Sequence, residues 1–295
     1  MNTLYFFLLV VLSNGVLSEN TPIVLWHGMG DSCCFSFSLG AFQKKLNESL
    51  GGVYIYSIQI GDNIIEDVEN SFFKYPLDQL NETCETLSAD PALVNGFNAI
   101  GFSQGGQFLR GLVQRCPTIK MKNLITLGAQ HQGVYGLPRC GALPFEICNS
   151  LRKILSQFAY NRYVQDILVQ ATYWHDPINE ETYKHESAYL GEINNERNIN
   201  QDYIERLQSL ENLVMVKFIN DTMVQPVESE WFGFYKPGQA LETETLQQSS
   251  LYTDDRLGLK KMDEESKLHF LEVEGDHLRF PWIWFEENII EKFLK

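Results

Sequence analysis

The chain has 295 residues, of which 44% are hydrophobic and 13% aromatic, so its composition is typical of a folded globular protein and excludes a disordered one. Its formal net charge of -15 excludes affinity for nucleic acid and for anionic membranes, because both would repel it. One large domain is the expectation at this length.

The first element is an apolar run from Leu4 to Leu12. It is too short to cross a bilayer, which needs about 20 residues, and small residues follow it up to Ser18. We therefore expect a signal peptide over residues 1–18, although no Lys or Arg precedes the run, and a mature domain over residues 19–295. No later stretch is long and apolar enough to predict a membrane helix.

Asn47, Asn81 and Asn220 each begin an Asn-x-Ser/Thr sequon, which agrees with entry into the secretory pathway. The number of cysteines is even, which in an oxidising compartment favours disulfides over metal ligands or free thiols. They are Cys33, Cys34, Cys84, Cys116, Cys140 and Cys148. No Cys-x-x-Cys pair or Cys/His cluster occurs, so no metal and no cofactor is predicted. The sequence does not show which cysteines pair with one another.

Short apolar runs alternate with helix-like segments along the mature chain. This alternation is typical of an α/β protein with a mainly parallel sheet and helices on both faces. The predicted strands lie, in chain order, in segments 21–28, 53–61, 96–102, 123–133, 212–221 and 267–277. The clearest predicted helix is Gly105–Arg115, which the Cys116-Pro117 pair ends.

Residues of about 134–205 interrupt the alternation and predict a helical insertion. Six apolar residues recur there at helical spacing: Ile147, Leu151, Ile154, Leu155, Phe158 and Leu168. This apolar face either packs on the sheet domain or lines a substrate groove. Residues 241–266 are polar and charged and predict a solvated excursion with short helices, and residues 280–295 predict a closing helix.

Residues 101–105 read Gly-Phe-Ser-Gln-Gly and fit the pattern G-x-S-x-G. A predicted strand runs straight into this pattern and a predicted helix leaves it, as a nucleophile elbow requires. Glycines allow the strained turn between strand and helix, and the start of the helix offers N–H groups to a developing anion. Ser103 is therefore the candidate nucleophile.

A serine needs a base, and the chain has six histidines. In hydrolases with this elbow the order is Ser, then Asp or Glu, then His, which excludes His27. His277 is the candidate base because it follows the last predicted strand, where a loop can bring it over the sheet. We expect His131 to form structural hydrogen bonds, His175 and His185 to lie on the surface or line a pocket, and His269 to lie within a strand.

Asp221 is the candidate acid, because it stands at the carboxyl end of the predicted strand in segment 212–221. Asp276 and Asp254 are the alternatives. The segment 27–32, His-Gly-Met-Gly-Asp-Ser, follows the first strand, where hydrolases of this kind take one N–H of the oxyanion hole. The residue after the nucleophile, Gln104, supplies the other.

Several stretches of the sequence are similar to the palmitoyl-protein thioesterases, a family of lysosomal enzymes. They are HGMGDSCC, DVENSFF, GFSQGGQFLR, QHQGVYGLPRC, YWHDPI, EWFGFY, LYTDDRLGL and EGDHL, which stand in family order across nearly all of the mature chain. The resemblance implies an α/β-hydrolase fold and the removal of long fatty acyl groups from cysteine thioesters during lysosomal degradation of lipid-modified proteins.

The resemblance also implies roles for particular residues. It places the catalytic triad on Ser103, Asp221 and His277, and the oxyanion donors on the backbone of Met29 and Gln104. It pairs Cys33 with Cys34, Cys84 with Cys116, and Cys140 with Cys148. The partners it implies are fatty-acylated peptides or proteins and a lysosomal sorting receptor that binds the glycans. The resemblance also implies delivery to the lysosome, with partial secretion.

Two other functions stay open at this level. An oxygen-ester lipase would use the same triad, because the triad does not distinguish which heteroatom leaves. An inactive hydrolase homologue that binds a lipid or a partner is the second alternative, and the complete triad argues against it.

Overall fold

Six parallel strands form the central sheet of the computed structural model, which describes residues 20–136, 150, 154–155 and 157–295. Their order across the sheet is β2-β1-β3-β4-β5-β8, and every neighbouring pair is parallel. The strands are β1 (Ile23–Trp26), β2 (Ile55–Ser57), β3 (Phe97–Phe102), β4 (Met121–Leu127), β5 (Asn212–Phe218) and β8 (Leu268–Val273). A separate antiparallel pair consists of β6 (Phe234–Tyr235) and β7 (Thr243–Glu244).

Four longer helices precede β5: α1 (Leu39–Ser49), α2 (Ile64–Phe73), α3 (Pro76–Ala89) and α4 (Gln104–Arg115). The remaining α-helices described are shorter: Arg162–Ile167, Val169–Thr172, Glu180–Glu186, Leu190–Ile193, Gln201–Gln208, Ser250–Thr253, Leu259–Glu264 and Trp282–Phe285. Val227–Trp231 and Leu246–Gln248 are 3-10 helices, and Glu286–Leu294 is a π-helix. None of the described helices is long and apolar enough to cross a membrane.

The core lies on both faces of the sheet, because alternate residues of each strand point to opposite sides. In β1, Val24 and Trp26 belong to the cluster that includes residues of α3, α4 and the helices between 162 and 208. Ile23 and Leu25 belong to the other cluster, which includes residues of α1 and of the C-terminal helices. Both faces are therefore covered, which confirms the predicted α/β class with helices on each side.

Each of the six predicted strand segments overlaps one strand of the sheet, although segments 123–133, 212–221 and 267–277 extend past the ends of β4, β5 and β8. β2 is shorter than its apolar segment, and its three residues are only half-buried, because it is an edge strand with one neighbour. The closing segment forms a short α-helix followed by the π-helix. Within the predicted insertion, Leu155 and Leu168 are buried, whereas Ile154 and Phe158 are exposed; Ile147 and Leu151 lie outside the described residues.

Short helices occupy residues 241–266 as predicted and Leu241 is exposed, but the segment is not solvated throughout. Five of its apolar residues are buried in the core cluster that covers one face of the sheet: Leu246, Leu251, Leu257, Leu259 and Met262. Two short helices and a 3-10 helix place these side chains on one side. The sequence of this segment shows no clear helical period, because no helix there is longer than six residues and charged residues lie between the apolar ones.

The structure joins Cys84 of α3 to Cys116 at the end of α4, with Cα atoms 5.6 Å apart. It also joins the neighbours Cys33 and Cys34, whose Cα atoms are 3.7 Å apart. Cys140, Cys148 and the predicted signal peptide lie outside the described residues.

The Cys84–Cys116 bridge closes a segment with a sequence separation of 32. Chain entropy then predicts that Cys84→Ser/Cys116→Ser lowers the free energy of unfolding by about 3 to 4 kcal/mol. Urea denaturation measures this loss. The matched control is Cys33→Ser/Cys34→Ser, because that bridge has a separation of 1 and closes almost no loop. Equal losses in both variants would contradict the entropic account.

Candidate active site

Ser103 lies at a sharp turn between β3 and α4 and has a left-handed backbone, with φ 53° and ψ -123°. Gly101 and Gly105 have to be glycines, because neighbouring backbone atoms lie too close to leave room for a Cβ atom. A Cβ on Gly101 would lie 2.4 Å from the Cα of Gly106, and a Cβ on Gly105 would lie 2.4 Å from the carbonyl oxygen of His27. The turn therefore has the geometry of a nucleophile elbow, with Ser103 at its tip.

Ser103 and His277 line one cleft of about 670 Å³. This cleft lies beyond the carboxyl ends of the strands, which is the usual ligand site of an open parallel sheet. Much of its wall is apolar, with contributions from Phe35, Val134, Leu155, Tyr173 and Met223. Gly28 and Met29, from the loop after β1, also line it.

Asp221 and His277 form a hydrogen-bonded pair in which Nδ1 of His277 lies 2.5 Å from Oδ2 of Asp221. They meet because β5 and β8 are neighbours, and each residue follows one of these strands. The other oxygen of Asp221 accepts the backbone N–H groups of Met223 and Val224, at 2.6 and 2.8 Å. Asp221 accepts from His277, so Nδ1 carries the proton and Nε2 is left as the basic nitrogen.

The side chain of Asp221 is fully buried, and burial by itself raises the pKa of a carboxyl group. The hydrogen bonds from His277 and Glu230 and the charge of His277 outweigh that effect and lower the pKa of Asp221. The acid is therefore ionised at acidic and neutral pH. Gly128 leaves room for the imidazole at the end of β4, since a Cβ there would lie 3.0 Å from Cε1 of His277.

The alternative acids occupy other positions. Asp276 is exposed and accepts hydrogen bonds from the backbone N–H and the hydroxyl of Thr222, both at 2.9 Å. Asp254 is the residue that ends the short helix Ser250–Thr253. Asp276 also accepts the backbone N–H of His277 at 2.8 Å, but in the described part of the chain neither carboxylate is hydrogen-bonded to the imidazole of His277.

The other histidines are bound elsewhere. His131 is buried, contacts the hydroxyl of Thr126 at 3.0 Å and stacks on Phe232, in agreement with the structural role expected of it. His269 lies in β8 as expected. His185 is exposed, which is one of the two locations predicted for it. His175 is a correction, because it is buried between the rings of Tyr183 and Phe234 and does not line the cleft.

Glu230 is a component of the site that the sequence did not single out. It is fully buried in the 3-10 helix Val227–Trp231, and its Oε2 accepts the backbone N–H of Phe218 at 2.8 Å. Its carboxyl group lies near that of Asp221, with an oxygen of each within 4.8 Å of the other. Burial, and then the hydrogen bond and the charge of Asp221, raise the pKa of Glu230 well above its ordinary value. These effects favour the protonated form of Glu230 beside Asp221. The only sequence signal was its position in the EWFGFY motif.

Ligand atoms of Asp221, Glu230 and His277 lie within 4.8 Å of one another, a spacing that could suit a metal ion. Within this group Nδ1 of His277 is already hydrogen-bonded to Asp221, so a metal ion would have to displace that proton.

Met29 and Gln104 stand at opposite sides of the elbow, after β1 and after Ser103. No acceptor for either backbone N–H lies among the residues that the structure describes. The side chain of Gln104 fixes the start of α4, because it donates to the carbonyl of Ser71 at 3.0 Å and accepts the hydroxyl of Tyr173 at 3.0 Å. Met29 lines the cleft, whereas Gln104 is not among the residues of its wall, and the role of the two N–H groups in an oxyanion hole stays a prediction.

The parallel sheet, the elbow between β3 and α4, and the cleft at the carboxyl ends of the strands define an α/β hydrolase. The family model for palmitoyl protein thioesterase matches residues 22–277. The chain belongs to the palmitoyl protein thioesterase family.

Three curated relatives illustrate the range of similarity. Palmitoyl-protein thioesterase 1 of Caenorhabditis elegans is 46% identical over 276 residues, which is 94% of this chain and 92% of that protein. Palmitoyl-protein thioesterase 3 of Dictyostelium discoideum is 33% identical, over 93% of this chain and 91% of that protein. Lysosomal thioesterase PPT2-B of Xenopus laevis is 28% identical, over 97% and 96%.

The protonation of Glu230 has a measurable consequence for stability. The folded state holds this proton to a higher pH than the unfolded chain, so stability falls as pH rises from the unfolded pKa of about 4.3 toward the raised folded pKa. We predict that Glu230→Gln removes this loss, because the amide does not ionise in either the folded or the unfolded chain. The variant should gain stability relative to the wild type by up to about 1.4 kcal/mol per pH unit in that window.

Urea denaturation of both proteins at pH 4 and pH 7 measures the difference. Glu228→Gln, on the same 3-10 helix, is the matched control and should show no such trend. A stability difference between Glu230→Gln and wild type that is the same at both pH values would refute the protonated state.

Proposed function

We propose that this chain is a serine hydrolase that removes long fatty acyl groups from cysteine thioesters of proteins and peptides. The observation that supports this most directly is Ser103 at a strained elbow, in the same cleft as a histidine already paired with a buried carboxylate. Family membership supports the substrate class, since two of the relatives carry the name palmitoyl-protein thioesterase.

The first half of the proposed reaction forms an acyl-enzyme. The hydroxyl oxygen of Ser103 attacks the thioester carbonyl carbon while Nε2 of His277 takes the hydroxyl proton. Asp221 holds the ring and stabilises the imidazolium that forms. The oxyanion accepts the N–H groups of Met29 and Gln104 until the C–S bond breaks, and the thiol leaves with the proton from His277.

The second half releases the fatty acid. A water molecule attacks the acyl carbonyl carbon, His277 takes one of its protons, and the bond to Ser103 breaks as that proton passes to the serine oxygen. The apolar wall of the cleft suits an acyl chain, because each buried methylene group contributes about 0.8 kcal/mol.

An oxygen-ester lipase is the second candidate, since the same groups would perform the same steps. A thiol, with an ordinary pKa of about 8.5, leaves more readily than an alcohol and needs less help from a general acid. The thioester is therefore the preferred substrate in this proposal. An inactive binding protein is disfavoured by the assembled pair of His277 and Asp221.

The proposal places the protein in the lysosome, reached through the secretory pathway, with partial secretion. The predicted signal peptide, the sequons and a relative named as a lysosomal thioesterase support this location. Asn81 and Asn220 are exposed and accessible to a glycan that a sorting receptor could bind, whereas Asn47 is half-buried. The amide of Asn47 donates to the carbonyl of Val53 at 2.7 Å.

We predict that Ser103→Ala lowers kcat for thioester hydrolysis by roughly 10⁴-fold or more, because the nucleophilic oxygen is lost. Alanine is small enough for the elbow, so the melting temperature should stay within about 2 °C of wild type. Hydrolysis and thermal melting are measured on the same preparation. Activity above a few per cent of wild type would remove Ser103 from the mechanism.

The choice between thioesterase and lipase is tested with one peptide in two forms, acylated on cysteine sulfur or on serine oxygen with the same palmitoyl chain. We predict that kcat/KM for the S-acyl peptide exceeds that for the O-acyl peptide by at least about tenfold. The Ser103→Ala variant serves as the blank for both substrates. Equal rates would favour the lipase.

A further inference from the structure

The imidazole of His27 is buried beneath the loop after β1, and both of its nitrogens face hydrogen-bond acceptors. Nδ1 lies 2.9 Å from the carbonyl oxygen of Gly28, and Nε2 lies 3.0 Å from Oδ1 of Asp67. The residue is only 3% exposed, so water cannot replace either partner. A neutral imidazole donates through one nitrogen only and would leave a lone pair against one of these oxygens.

Asp67 can act only as an acceptor here. It is fully buried in α2, and its oxygens already accept the backbone N–H groups of Ile60 and Cys33, each at 2.8 Å. The hydroxyl of Ser32 is a third donor, at 2.9 Å. A carboxylate with three other donors is ionised, so it cannot supply the proton that it shares with His27. Both nitrogens of His27 must therefore carry protons, and the ring is an imidazolium.

The oxygen that this imidazolium binds belongs to the peptide unit between Gly28 and Met29. In a planar trans peptide the C=O and the N–H point in opposite directions. The carbonyl of Gly28 points at His27, so the N–H of Met29 points away from His27. Gly28 and Met29 both line the cleft. A Cβ on Gly28 would lie 3.2 Å from Cβ of Ser103, so this peptide unit is next to the nucleophile.

We propose that protonated His27 is a positioning residue that orients and polarises the Gly28–Met29 peptide, so that the N–H of Met29 stabilises the oxyanion. The inference rests on the proposed function, in which Met29 is an oxyanion donor. The imidazolium draws electron density from the carbonyl and strengthens the N–H of the same peptide unit as a donor. Asp67 holds the ring in place and belongs to α2, outside the cleft wall.

The charges around His27 favour its protonated form. Burial lowers the pKa of His27, but the hydrogen bond and charge of Asp67, the carbonyl of Gly28 and the charge of Asp31 outweigh it and raise the pKa above 6.5. Asp67 comes from α2 and Asp31 from the loop after β1, and no other charged side chain is a cause of the shift. The oxyanion peptide is thus held at acidic pH and released as pH rises through the raised pKa.

Nitrogen NMR of histidine-labelled protein tests the protonation directly. Sequential backbone assignment identifies His27 without any variant, and we expect both ring nitrogens to be protonated at pH 6.5. A neutral His27 at pH 6.5 would overturn the proposal. The exposed His185 is the internal reference for a solvent-accessible imidazole in the same sample.

The catalytic role is tested with His27→Gln, because the amide carries no positive charge and its two N–H groups share one nitrogen instead of occupying the two ring nitrogens. We expect kcat for the S-acyl peptide to fall by roughly 10- to 100-fold, with KM changed less than about threefold, because an oxyanion exists only in the transition state. The wild-type kcat should also fall as pH rises through the pKa of His27, and the variant should lack this fall. His185→Gln is the matched control and should behave as wild type in both respects.

The rate at which a fluorophosphonate labels Ser103 separates this inference from the proposed function. Labelling needs the oxyanion hole and is independent of whether the natural substrate is a thioester. Labelling that is 10- to 100-fold slower in His27→Gln supports the inference even if the wild type does not hydrolyse thioesters. Unchanged labelling and unchanged kcat in a folded variant would overturn it, while thioesterase activity of the wild type would stand.

Discussion

The close approach of three backbone segments at the end of β3 is the constraint on which the site depends. β3 lies inside the sheet between β1 and β4, and the chain must turn there within one residue to begin α4. Side chains on Gly101 or Gly105 would overlap α4 or the end of β1. The strained backbone of Ser103 is therefore held by packing around it, and it exposes the hydroxyl to the cleft at the carboxyl ends of the strands.

Two buried carboxylates flank this turn, and each is stabilised by several donors. Asp221 accepts two backbone N–H groups and the imidazole of His277. Asp67 accepts two backbone N–H groups, a hydroxyl and the imidazole of His27. A buried charge without such partners would cost several kcal/mol. The hydrogen bonds to each carboxylate therefore hold in place the loops that contain the donors.

The two carboxylates act on opposite sides of the reacting carbonyl group in the proposed mechanism. Asp221 orients the base, and Asp67 orients the imidazolium that holds the oxyanion loop. In this account His27 carries an extra proton, and burial and the charge of Asp221 favour the protonated form of Glu230. This arrangement agrees with the proposed lysosomal location, because neither proton has to be lost for the triad to work.

The sequence by itself determined the order of strands and helices, the elbow at Ser103 and the positions of Asp221 and His277 after strands. These features are local, because they depend on apolar runs, glycine spacing and the order of residues along the chain. Tertiary structure decided which side chains meet. The placement of α2 brings Asp67 to His27, 40 residues away, and a 3-10 helix brings Glu230 beneath Asp221. Burial and neighbouring charge then set the protonation of both residues, and neither effect can be derived from residue type or local spacing.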